Sequence, residues 1–159
     1  MIDDMDHLVS SAVSSVFGTM LNLPVHPKSE SVPMHESEAL IAGSVGFIGV
    51  TTGVVFVYST VTFARKVAAG MLGSAASDEM VNDAFGEITN MIVGNIKSRL
   101  DDRGISCALT IPSIVRGNNF TIEPTSSSLR RISKFQCGDN HVVVEVLLKS
   151  NSAQTALAA

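Results

Sequence analysis

Apolar residues recur at three- and four-residue steps in two long stretches and gather into short β-like runs elsewhere. In the first stretch, Leu8, Ala12, Val16, Met20 and Leu23 keep helical spacing, which predicts a helix over Asp4–Leu23. Asp3, Asp4 and Asp6 crowd its start, where the helix dipole favours negative charge. Pro24, Pro27 and Pro33 then mark an extended connector. Two β runs follow, over Ser37–Ile48 and Thr51–Ser59, with Gly49 and Gly53 at a hairpin junction. A short helix over Thr60–Met71 closes at Leu72-Gly73, a natural C-cap. Ser77 can cap the longest element, a helix from Asp78 to Arg103 that stops at Gly104. Met80 stands where a capping box would carry an acid. The remainder reads as β: Ile105–Val115 broken at Pro112, a short run Asn118–Ile122, and Arg130–Cys137 with His141–Lys149 around the turn Gly138-Asp139-Asn140.

Helix, two strands, two helices and then several strands predict an α+β fold of two layers, an antiparallel sheet with helices packed on one face. Residues 1–149 read as one domain, and 150–159, small and polar, as a frayed tail. The tail's end, Ala156-Leu157-Ala158-Ala159, resembles the end of a bacterial degradation tag.

Composition narrows the function classes. With 45 % apolar and 16 % charged residues the chain is globular rather than disordered. A net charge of -4 argues against nucleic acid or an anionic membrane as partner. The best candidate for a membrane span, Ala39–Val57, is broken by Gly43, Gly46, Gly49 and Gly53. The acidic start is unlike a secretory signal, so a cytoplasmic location is expected, with Cys107 and Cys137 as free core thiols. His7, His26, His35 and His141 make no metal-ligand spacing with either cysteine, so no metal and no bound cofactor are expected on this chain. The glycines of Gly43–Gly53 lack a following Lys-Ser or Lys-Thr and an opening helix, which excludes a nucleotide loop; strand bends and turns explain them better. Arg130, Arg131 and Lys134 read as a solvated strand edge.

Chemistry is concentrated on the long helix. At about 100° per residue, Val81, Ala84, Ile88, Met91 and Ile92 form an apolar stripe for the sheet. Asp83, Glu87 and Asn90 form a narrow polar strip, with Gly94 one turn on. Gly86 and Gly94 each weaken a helix by about 1 kcal/mol against alanine, a cost that makes sense where a partner's backbone comes close. A polar strip is ordinarily a solvated face. An acid and an amide without a nucleophile also make no self-contained hydrolase.

The strip Asp83-Ala-Phe-Gly-Glu87-Ile-Thr-Asn90 resembles the CheC, CheX and FliY phosphatase family, whose motif is an acidic residue or serine, three residues, Glu, two residues, Asn. Met91-Ile-Val-Gly-Asn95, the hairpin Ile41–Val57, the helix end Met71-Leu72-Gly73 and Thr110–Gly117 also resemble it, so the likeness spans roughly Met5–Lys149. The resemblance implies a phosphatase acting on the aspartyl phosphate of a CheY-like receiver domain, which brings its own Mg²⁺ and lysine. It implies that Asn90 positions the attacking water and that Glu87 pairs with the receiver's lysine. Asp83, Gly86 and Gly94 then assist docking. The same face could hold a receiver without hydrolysing anything. Some family members repeat the site on a second helix. Here Ser10 and Val13 fall where Glu and Asn are needed, so a single site is expected, as in CheX-like members. Those members pair through their sheets, which implies a homodimer.

Overall fold

A computed structural model of the chain describes residues 2–28, 38–125 and 128–149. Ser37 and Pro33 of the expected connector and strand, and the whole tail 150–159, lie outside these residues. Helix α1 (Ile2–Ser15) is shorter than its spacing predicts and runs into a wider π turn over Val16–Met20. Met5, Leu8, Val9, Ala12 and Val13 of α1, with Val16 and Phe17 of the π turn, are the buried face. Met20, assigned to that stripe by spacing, is 60 % exposed, because the π turn rotates the chain away from the helical period.

The prolines that follow conceal a strand. β1 (His26–Lys28) pairs with the partner segment Lys134–Gln136, Pro27 opposite Phe135. It is an edge strand, the place where a residue without an N–H is tolerated. β2 (Leu40–Gly49) and β3 (Gly53–Thr60) form the expected hairpin. α2 (Val61–Leu72) follows, capped by Thr60 at its start and by Gly73, at φ +73, at its end. α3 (Asp78–Asp102) is the longest element, and Gly104 at φ +77 stops it. The β region beyond is β4 (Cys107–Leu109), β5 (Ser113–Gly117), β6 (Ser128–Cys137) and β7 (Asn140–Lys149). The run Asn118–Ile122 forms no strand. Asn119 takes a left-handed φ of +54, and Phe120–Glu123 instead line a cleft with Tyr58, Arg130 and Glu145.

The sheet is antiparallel throughout, in the order β1-β6-β7-β3-β2-β4, with β5 also paired to β2. Strand alternation sends Ile41, Val45, Val55, Val57, Phe135, Val142, Val144 and Val146 into one core with the apolar faces of the helices. Tyr58, Arg130 and Glu145 point to the other side. Glu145 is only 3 % exposed. Arg130 Nε stands 2.7 Å from its Oε1, a contact of charge rather than an aligned hydrogen bond, and Arg130 Nη2 lies 3.4 Å from Oε2. Tyr58 Oη donates to Oε2 at 3.2 Å. Burial, and then the neighbouring carboxylate, push the Tyr58 pKa up, so the phenol remains a neutral donor.

The basic cluster lies in part on an open edge. Among the described residues β1 covers β6 only at Lys134–Gln136, so Arg130 and Arg131 sit where β6 has a strand partner on one side alone. Both are ion-paired rather than merely solvated, Arg130 with Glu145 and Arg131 Nη2 with Asp6 Oδ2 at 3.9 Å. Cys107 and Cys137 are buried free thiols, and burial raises both pKa values, which keeps them protonated and slow to react.

Candidate functional site on helix α3

α3 is anchored at its end through Arg103, whose Nη1 lies 3.3 Å from Asp4 Oδ2, and at its start by a cap. Ser77 Oγ accepts from the Met80 N–H at 3.2 Å, and Asp78 and Glu79 occupy the first turn, where the dipole favours them. Asp78 is also bracketed by Arg65 of α2 at 3.3 Å and Arg116 of β5 at 3.8 Å. Val81, Ala84, Ile88 and Ile92 of the expected stripe are buried, with Phe85, Thr89, Val93, Ile96 and Leu100 beside them. Met91 is the stripe's half-buried margin.

The polar strip faces outward. Asp83 and Glu87 are exposed, and Asn90 and Gly94 are half-buried. Asp83, Glu87 and Asn90 make no hydrogen bond or ion pair with the other described residues. The Asn90 amide is not sealed from solvent, so its donor and acceptor are free to take a ligand. A Cβ on Gly94 would meet nothing within 4 Å, so no packing among the described residues requires a glycine there. Lys97, further along that line, is tied to Asp101 at 2.6 Å, a hydrogen bond that raises its pKa.

Gly86 lies off the strip. It is buried, and a Cβ built on it would sit 3.8 Å from Ile114 and 3.9 Å from Pro112, ordinary contact distances. Its close neighbour is this chain's own β4–β5 connection. The region sought as a second site on α1 is unsuited to one: Val13 is fully buried and Asp6 pairs with Arg131.

Sequence reasoning missed the contact that sets the depth of α3 on the sheet. Thr89, immediately before Asn90, is fully buried and donates to the Phe85 carbonyl at 2.9 Å. A Cβ on Gly43 of β2 would lie 2.0 Å from Thr89 Oγ1. Gly43 is thus a close-approach glycine rather than a bend. A lone glycine amid a β run was the available signal.

Among the described residues, no three His, Cys, Asp or Glu side chains come together as a metal site, and no helix is long and apolar enough to cross a membrane. The strip can offer a partner one amide, one or two carboxylates and a smooth patch at Gly94. It cannot by itself attack a substrate.

The family model described as chemotaxis phosphatase CheX matches residues 41–136. The chain is 30 % identical over 125 residues to the CheY-P phosphatase CheX of Thermotoga maritima, an alignment that covers 73 % of this chain and 79 % of that protein. Its fold is similar to the crystal structure of CheX from Desulfovibrio desulfuricans, with a TM-score of 0.78, 26 % identity, and coverage of 91 % of this chain and 99 % of that one. The CheX of Borrelia burgdorferi, solved as a CheX-CheY-BeF3-Mg+2 complex, has the same fold, with a TM-score of 0.74, 23 % identity, and coverage of 90 % and 96 %.

Proposed function

Since this chain belongs to the CheX family of chemotaxis phosphatases, we propose that Asn90 and Glu87 of α3 carry its reaction. The activity is hydrolysis of the aspartyl phosphate of a CheY-like receiver domain, and the chain is a protein aspartyl-phosphate phosphatase. One observation supports the two residues most: an amide without a partner among the described residues stands beside a carboxylate equally unpaired there, on a helix capped at its start by Ser77 and tied at its end to Asp4 through Arg103.

Phosphoryl transfer passes through a loose transition state, so aligning a water matters more than strong base catalysis. The Asn90 amide can accept from that water and hold it in line with the breaking P–O bond. Glu87, about one helical turn earlier, pairs with the lysine of the receiver's site by a charge-assisted contact and fixes the docked pose. Asp83 and Gly94 border the same contact, and Gly86 serves it only through the helix's packing on Pro112 and Ile114. Magnesium belongs to the receiver, where it neutralises charge on the phosphoryl oxygens. The protein works in the cytoplasm with that partner.

With a phosphorylated receiver and Mg²⁺, Asn90→Ala is expected to lower turnover at saturation by about 100-fold, with the unfolding transition unchanged. Glu87→Ala is expected mainly to raise the receiver concentration at half-maximal rate. Equal turnover by wild type and Asn90→Ala rejects the assignment.

A homodimer through the sheet face away from the helices completes the reading. Ile48, Val115 and Ile132 are 60, 48 and 42 % exposed, and strand alternation puts them on that face. Sedimentation of the wild-type chain is expected to give a dimer, and Ile132→Asp a monomer. A monomeric wild type at micromolar concentration rejects the homodimer.

A further inference from the structure

The β4–β5 connection carries a β-bulge. Phe47 pairs with Leu109 and Ser44 with Ser113, so Val45 and Gly46 of β2 face three residues, Thr110, Ile111 and Pro112. Such a bulge leaves one residue unpaired and re-aims its side chain. Here that residue is Ile111, 84 % exposed, the most exposed of the large apolar side chains among the described residues.

A single exposed apolar residue needs no explanation by itself. Ile111 differs because both of its neighbours are fixed. Thr110 is bound twice to Gly46: its N–H donates to the Gly46 carbonyl at 2.8 Å, and its Oγ1 accepts from the Gly46 N–H at 2.8 Å. Pro112 has a restricted φ and packs beside Gly86 of α3. Gly86 precedes Glu87 and lies one turn before Asn90. The bulge therefore holds Ile111 on a fixed backbone, next to the proline that packs on α3 one turn before Asn90, with little loop freedom left to lose on binding.

We propose that Ile111 is an apolar docking contact for the phosphorylated receiver, seated against apolar surface next to the receiver's phosphorylation site. The inference rests on the assignment of Asn90 and Glu87 above, because contiguity with that strip identifies the occupant. Ile111 touches the partner but no reacting atom, so it sets affinity and not the chemical step.

The test compares wild type, Ile111→Ser, Ile111→Leu and Asn90→Ala. Each is titrated with the receiver held in its activated form by beryllofluoride and Mg²⁺, and its KM and kcat are measured on the phosphorylated receiver. Ile111→Ser is expected to raise Kd and KM about tenfold with kcat unchanged, and Ile111→Leu to restore both to within about twofold. Thermal unfolding should be the same for wild type and Ile111→Ser, since so exposed a side chain holds nothing. If Ile111→Ser leaves Kd and KM unchanged while Asn90→Ala abolishes turnover, the docking role is wrong and the catalytic assignment stands. A fall in kcat at constant KM also overturns the docking role. If Asn90→Ala has no effect on turnover, the catalytic assignment fails and the docking inference fails with it.

Discussion

Gly43→Ala is expected to destabilise the protein by about 2 to 3 kcal/mol and to slow the phosphatase reaction about 100-fold. The new Cβ would stand 2.0 Å from Thr89 Oγ1, 2.9 Å from Thr89 Cβ and 3.2 Å from Thr89 Cγ2. Turning the threonine about its Cα–Cβ bond removes the first overlap and leaves the second, so the helix has to lift from β2. Gly43 is paired on both sides, to Val57 of β3 and Ile114 of β5, so the strand is the part that cannot yield. The lift displaces Asn90, the next residue, relative to any partner docked on α3. Thr89→Gly in the same chain removes all three overlapping atoms at a helix cost of about 1 kcal/mol, and should restore most of the rate. A Gly43→Ala protein as stable and as active as wild type would show that strand and helix do not meet this closely. Loss of rate without rescue would assign Gly43 a purely structural role.

Arg130→Met is expected to cost on the order of 3 kcal/mol, because it leaves the Glu145 carboxylate buried beside the Tyr58 hydroxyl with its cation gone. The penalty comes from the stranded charge, not from the lost attraction. Adding Glu145→Gln to Arg130→Met should therefore recover much of the stability, whereas independent effects would add. Urea unfolding of the four proteins at one protein concentration closes the cycle, since dimerisation would otherwise shift the midpoints. An Arg130→Met midpoint equal to wild type would mean that Glu145 finds water that the fold denies it here.

Elements whose signals are local came out close to their expected limits. Thr60 and Gly73 bound α2, Ser77 and Gly104 bound α3, and Gly138 with Asp139 forms the tight turn between β6 and β7. Caps and turns depend on the backbone preferences of one or two residues, which the sequence states outright. The polar strip was legible for the same reason, since helical geometry alone puts Asp83, Glu87 and Asn90 on one side.

Features built from residues distant in the chain were not legible. β1 hid behind Pro24 and Pro27 because its pairing is with β6, more than a hundred residues away. Arg130 looked like a free surface charge because Glu145 becomes its neighbour only when β6 and β7 pair. The Gly43–Thr89 contact and the bulge at Ile111 depend on how closely α3 approaches β2 and how β2 shares its edge between β4 and β5. Periodicity was thus enough to say which side chains share a face of one element. Which faces meet, at what depth and with what charge between them, depends on packing of the assembled core, where steric fit and desolvation act between residues that local propensity never compares.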